Sequence, residues 1–245
     1  MDEPNPGSGS PIRRRAHLVS SVPPLLFERY ASTIRRAPAQ PLLDLPATLS
    51  ELTGPGPALA DITADDVDLT SNASADGVAI GERIIVTGRI LDAHLRPVRR
   101  AVVEIWQANA AGRYAHEQDD HDAPLDPNFI GAGWCITDEE GSYRFTTIKP
   151  GAYPWRNHPN AWRPAHIHFS IFGPSYTSRL VTQMYFPGDP LQALDPIMHS
   201  VPEASRSRLI ARYDHEITQE EWALGYRFDI VLGGPRATPP DPDDE

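Results

Sequence analysis

The sequence predicts an all-β chain, a β-sandwich of mostly antiparallel strands with long loops and an extended N-terminal arm. Several short runs alternate apolar and polar residues with period two, the pattern of strands that bury one face. Gly, Asp and Pro punctuate the gaps between those runs, and no long amphipathic helix intervenes. There are 26 prolines among 245 residues, which suits loops and sheet edges and disfavours helices. A chain of this length can bury a full core, and sandwiches of this size are commonly one domain.

Taken in order, residues 1–24 read as an extended arm. LLFERYASTIRR is mixed in character, and PATLSELTG reads as a short helical turn closed by Gly54 and Pro55. Residues 1–80 therefore form an arm with a short helical segment that must lie on the sheet or on a partner. The sandwich occupies 81–236. Its first strand is RIIVTGRIL (83–91), followed by a turn through Asp92–Pro97 and a second strand, AVVEIWQAN (101–109). There Val103, Ile105 and Gln107 alternate with Val102, Glu104 and Trp106. WCITDEEGSYRFTTI (134–148) is a hairpin turning at Asp138–Gly141; RLVTQMYF (179–186) and YRFDIVL (226–232) are later strands. Between these two, PEASRSRLIARYD has at best helical spacing. The end of the chain, 237–245 with PPDPDDE, reads as an acidic, solvated, disordered tail.

The formal charge of -11 argues against nucleic acid or an anionic membrane as partner. No window approaches the run of about 20 apolar residues that a membrane span needs. The basic cluster Arg13–Arg14–Arg15 is not followed by an apolar core, so no secretory signal is expected. A single cysteine, Cys135, in the apolar context GWCI, permits no intrachain disulfide. It reads as a small buried hydrophobe in a reducing, cytoplasmic compartment.

The chemistry concentrates in GAYPWRNHPNAWRPAHIHFSIFGP (151–174). On a strand, His166, His168 and Ser170 share one face, with Ile167, Phe169 and Ile171 on the other. Two imidazoles at i and i+2 point the same way and can share one metal ion. Taken alone, such a pair fits ordinary hydrogen-bonded histidines equally well. Arg163, three residues upstream, can place a permanent positive charge beside the same site. Tyr153 sits in a Pro- and Gly-rich loop of the kind that positions functional side chains.

GRYAH at 112–116, AYPWRN at 152–157 and RPAHIHF at 163–169 together resemble the intradiol ring-cleavage dioxygenases, and the likeness runs from about Tyr30 to about Arg236. The resemblance implies four metal ligands, Tyr114, Tyr153, His166 and His168, holding non-haem Fe(III). Two phenolates are hard anionic donors suited to a hard trivalent ion, whereas zinc prefers nitrogen and thiolate sets. A free tyrosine has a pKa near 10, so its phenolate binds at neutral pH only to a strongly Lewis-acidic metal. In the family, the tyrosine in the position of Tyr153 also serves as a base toward the aromatic diol. Arg163 and Gln183 match catalytic positions, and Trp106, Trp155 and Ile197 match pocket walls. Tyr30 matches a position that approaches a substrate carboxylate, with Arg36 and Arg156 as electrostatic helpers. His116, His121 and His158 are expected to be hydrogen-bonding or solvent-facing. The implied substrates are a small aromatic diol and O2. The implied partner is a homologous alpha subunit in a hetero-oligomer. A non-catalytic sandwich subunit is the reading from another class, and it expects one or more ligands to be missing.

Overall fold

The computed structural model describes residues 21–42, 62–63, 65–73, 77–172 and 179–241. Two sheets face each other. In the larger, β1 (Arg83–Leu91) pairs antiparallel with β4 (Ser142–Ile148) on one flank, and parallel with β10 (Leu224–Arg227) and then β11 (Ile230–Val231); β9 (Arg212–Tyr213) closes the far edge. The smaller has the order β3 (Ala132–Ile136), β2 (Val102–Trp106), β7 (His166–Phe172), β8 (Leu180–Tyr185), with every pairing antiparallel. The inward residues of both sheets make one core. Ile84, Val86 and Ile90 of β1 and Phe145 of β4 meet Val103 and Ile105 of β2 and Ile167, Phe169 and Ile171 of β7. This is the face-to-face packing expected when alternating strands bury one side each. Cys135 lies in that core, and burial pushes its thiol up to about 12, so it packs as a hydrophobe and is inert as a nucleophile.

Register across the smaller sheet decides where the chemistry falls. His168 stands opposite Trp106 on one side and Gln183 on the other, and His166 stands opposite Tyr185. Directly paired residues share a face, so Trp106, His168 and Gln183 form one row and His166 with Tyr185 the next. Because β7 turns Ile167, Phe169 and Ile171 inward, both rows lie on the outer face.

The run 134–148 is not the hairpin the sequence predicts: β3 pairs with β2 and β4 with β1, so the turn at Asp138–Gly141 carries the chain from one sheet to the other. Four further features depart from, or refine, the sequence expectation. The last strand is broken: β10 and β11 are separated at Phe228–Asp229, where the Asp229 carboxylate accepts from the Arg89 amide at 3.0 Å. The Phe228 carbonyl there turns inward and accepts from the Tyr143 hydroxyl at 2.5 Å. The approach is possible because position 88 is glycine; a Cβ there would lie 1.8 Å from that carbonyl oxygen. Secondly, β5 (Tyr153–Pro154) and β6 (Trp162–Arg163) form a short ribbon in the Pro-rich loop, with Tyr153 opposite Arg163. Thirdly, a helix forms at α1 (Ala31–Arg36); the helical turn expected around PATLSELTG lies outside the described residues. Finally, residues 237–241, expected in a solvated tail, are packed on the protein. Their backbone runs past β8, with the Asp241 amide donating to the Val181 carbonyl and the Thr182 hydroxyl to the Pro239 carbonyl. They cover an edge strand whose backbone groups would otherwise be unpaired. Residues 242–245 lie outside the described set.

PEASRSRLIARYD folds as α3 (Glu203–Arg206) and a 3-10 turn (Ser207–Leu209), preceded by α2 (Pro196–Ser200). Among the described residues no helix is long and apolar enough to cross a membrane.

Candidate active site

The outer face of β7 carries two imidazoles with ring centres 4.9 Å apart. His166 donates from Nδ1 to the Pro164 carbonyl at 2.7 Å, which fixes its tautomer and leaves the Nε2 lone pair outward. That nitrogen lies 3.3 Å from the Tyr153 hydroxyl. Burial, then the positive field of Arg163 and the neighbouring His168, hold the His166 pKa well below the usual imidazole value. The ring is therefore neutral at physiological pH, the state a metal ligand requires. His168 is held by Trp106, whose ring stacks on it at 4.8 Å and 6°.

Tyr114 comes from a loop whose fold is dictated by Asn109. The Asn109 side chain accepts from the amides of Ala111 and Arg113, and donates to the Pro124 carbonyl. Its backbone carbonyl accepts from the amides of Gly112 and Gly151, tying the loop to the start of the β5–β6 ribbon. Gly112 has φ +79°, and a Cβ there would lie 2.1 Å from the Ala152 carbonyl oxygen. Only glycine allows the two segments to touch. The contact brings the Tyr114 and Tyr153 rings to 5.5 Å, nearly perpendicular, and Tyr114 to 6.4 Å from the His168 ring. The Tyr114 hydroxyl is enclosed, faces Tyr153 and makes no well-aligned hydrogen bond. Burial, then the adjacent Tyr153, push its pKa well above 10. An enclosed phenol without an aligned acceptor is costly in a folded protein.

Arg163 is buried beneath this cluster. Its guanidinium donates to the Gln183 side-chain oxygen and, at 3.0 Å, to the Tyr185 hydroxyl; it lies 3.4 Å from the Asp195 carboxylate. Burial opposes its charge, but Asp195 first, then Tyr185, Tyr153 and Asp241, outweigh burial and hold its pKa well above the usual value. Asp195 also accepts from the Ile197 amide, capping α2. The arginine is thus a fixed, permanently charged group, with its guanidinium carbon 5.7 Å from the centre of the Trp155 ring.

The N-terminal arm closes one side. Asn157 accepts from the Ala31 amide and donates to the Arg29 carbonyl, which seats Tyr30 against Trp155 at 5.4 Å. Arg36 lies over the Tyr30 ring at 5.1 Å. Ile197 lines a small cavity with Gln183, Tyr185, Pro240 and Asp241. Arg156 stands apart: it is exposed and paired with Asp120. His121 and His158 bond backbone carbonyls, and His116 accepts from the Gln118 amide.

Three groups in the cluster escaped the sequence reading, namely Tyr185, Asp195 and Asp241. Tyr185 carried a usable signal, because it lies two residues beyond Gln183 on one strand and so shares its face. Asp195 precedes Pro196 and reads locally as a helix cap only. Asp241 sits in a Pro/Asp run with no periodicity.

Residues 55–234 match the protein-family model described as Dioxygenase. The chain belongs to the intradiol ring-cleaving dioxygenases. It is 59% identical over 219 residues to the protocatechuate 3,4-dioxygenase beta chain of Burkholderia cepacia, covering 89% of this chain and 93% of that one. The alpha chain of the same organism's enzyme is 28% identical over 163 residues, covering 65% of this chain and 77% of that one. Among solved structures, 3-chlorocatechol 1,2-dioxygenase from Rhodococcus opacus 1CP superposes with a TM-score of 0.53 at 23% identity, over 69% of this chain and 65% of that one. That likeness concerns the fold.

Proposed function

We propose that this chain is the metal-bearing subunit of a protocatechuate 3,4-dioxygenase, opening the aromatic ring between its two hydroxylated carbons to give 3-carboxy-cis,cis-muconate. The observation that carries the reading is the enclosed Tyr114 hydroxyl, without an aligned hydrogen bond, beside Tyr153, His166 and His168. A buried phenol in that position fits a strong Lewis acid that takes its proton's place. Tyr114, Tyr153, His166 and His168 would hold the ion. Two phenolates and two imidazoles fit non-haem Fe(III), which when bound would fix the catechol as its dianion and open the ring to O2.

The chain's own groups then have separable tasks. Tyr153, beside His166 Nε2 at 3.3 Å, would as a phenolate accept one of the two catechol hydroxyl protons as a general base and become the neutral phenol, the second proton passing to solvent. Arg163 presents a charge that stays on at any working pH, and stabilises anionic charge that develops on the ring carbon during attack. Gln183, Tyr185 and Asp195 keep that guanidinium in place. Trp155 and Ile197 wall the ring's space, and Tyr30, brought by the arm, is the donor for the ring carboxylate, with Arg36 beside it. Arg156 faces Asp120 and contributes at most a diffuse field. The partner in this reading is a homologous alpha-type subunit, supported by the beta-chain identity of the relative and the weaker likeness to an alpha chain.

The test is to co-express the chain with the alpha-type homologue from its own source, supply protocatechuate and O2, and identify the product by mass and NMR. Intradiol product carrying both atoms of labelled O2 is expected. Cleavage outside the diol, or no turnover by iron-replete protein, overturns the reading.

A further inference from the structure

We propose that the C-terminal segment, residues 237–241, is a working part of the active site, with Asp241 as the positioning residue for His168. This rests on the reading of His168 as a metal ligand.

Asp241 is only 4% exposed although it lies near the end of the chain. The segment is anchored at several points. The Thr238 amide donates to the Val231 carbonyl and the Val231 amide to the Thr238 hydroxyl; Arg208 donates to the Ala237 carbonyl; and β8 holds Pro239 and Asp241 through Thr182 and Val181. These bonds deliver one carboxylate oxygen to a defined spot. Asp241 Oδ2 accepts from Gln183 Nε2 at 2.5 Å and lies 3.2 Å from His168 Nδ1. The second contact is within ion-pair reach but out of line for a full hydrogen bond, so Nδ1 has no aligned partner.

A ligating histidine usually offers its second ring nitrogen to a carboxylate or a carbonyl, which sets ring orientation and raises basicity at the ligating nitrogen. His166 meets that requirement with the Pro164 carbonyl. For His168 the carboxylate at Nδ1 is that of Asp241. The two ligands of the i, i+2 pair are thus supported unequally, one by a neutral dipole and one by an anion. Gln183 joins the two sides of the arrangement: its amide nitrogen holds Asp241, while its oxygen receives Arg163 and the Tyr185 hydroxyl. Asp241 therefore acts on His168 directly and on Arg163 through Gln183, and it touches no reacting atom.

The discriminating variant is Asp241→Asn, whose amide oxygen can still accept from Gln183 while the charge is lost. Iron-loaded enzyme is challenged with a ferric chelator, and iron loss is followed together with the visible phenolate-to-iron absorption and unfolding temperature. We expect Asp241→Asn to unfold like the parent but to hold iron against the chelator about tenfold more weakly or worse, the range of affinity lost when such supporting partners are removed. The visible band should shift, and Asp241→Glu, which keeps the carboxylate, should recover part of both effects. Asp241→Asn with parental iron retention and spectrum overturns the proposal, even if a variant ending at Thr238 is unstable, since that would make the segment structural only. His168→Ala separates the two levels: iron loss there with no effect of Asp241→Asn removes only the role of Asp241, whereas full iron retention in His168→Ala removes the ligand reading and this inference with it.

Discussion

Tyr114 and Tyr153 differ in their surroundings, and the difference predicts different roles. The Tyr114 hydroxyl is enclosed without an aligned hydrogen bond, whereas that of Tyr153 already meets His166. Tyr114→Phe should therefore lower both iron content and visible colour. Tyr153→Phe should keep most of its iron yet turn over roughly 100-fold more slowly, the scale of losing a positioned base. Iron analysis, spectrum and kcat for the two variants check this, and identical behaviour would refute the division. A second residue-scale prediction concerns Asp195, fully buried beside Arg163. Removing one partner of a buried pair leaves an uncompensated charge, so Asp195→Ala should cost about 3 kcal/mol of stability in chemical denaturation. Nothing around position 195 announced this in the sequence, because local spacing reads an Asp-Pro pair as a helix start. The histidines were legible for the opposite reason: strict alternation on β7 places both on one face whatever the tertiary context.

At the scale of elements, β1, β2, β3, β4, β7 and β8 were all visible as alternating runs bounded by turns, because each buries one face in a common core; the pairing of β3 with β4 was not, because local alternation marks a strand but does not say in which sheet it finds its partner. The β5–β6 ribbon was not. Each of its strands has two residues, too few for any period, and its existence depends on contacts with the Asn109 loop. Gly112 is the hinge of that contact. Gly112→Ala must either hold alanine at φ +79° with its Cβ pushed into the Ala152 carbonyl, or shift the backbone and give up the contact. The left-handed conformation alone costs about 1–2 kcal/mol. A destabilisation of at least that size, with reduced iron occupancy because Tyr114 is displaced from Tyr153, is expected from denaturation curves and metal analysis. Unchanged stability and iron content would show that the loop does not set the tyrosine pair. The chain's end illustrates the same limit, since a Pro/Asp run has no periodicity to mark it as an edge cover for β8.

For the whole molecule, the arm and the tail converge on the site from opposite ends of the sequence. Arg36 of the arm and Asp241 of the tail line one cleft with Val22 and Pro240. The arm was legible as a segment in need of a surface, and Asn157 supplies part of it by gripping the chain on either side of Tyr30. In the proposed function, Tyr30 is the arm's contribution to substrate choice. Tyr30→Phe should lower kcat/KM for protocatechuate about tenfold, the cost of leaving a carboxylate short of one donor, and lower that for catechol much less. Equal losses on the two substrates, compared as free energies, would remove Tyr30 from specificity and return it to packing on Trp155.

In the proposed function, two tyrosines and two histidines on this sandwich hold one ferric ion. The visible spectrum of purified protein, read against its iron content, tests that claim most directly. Protein with about one iron per chain should be red-brown from phenolate-to-iron charge transfer, and the colour should fade in Tyr114→Phe. Iron-replete protein with no visible band would contradict the claim.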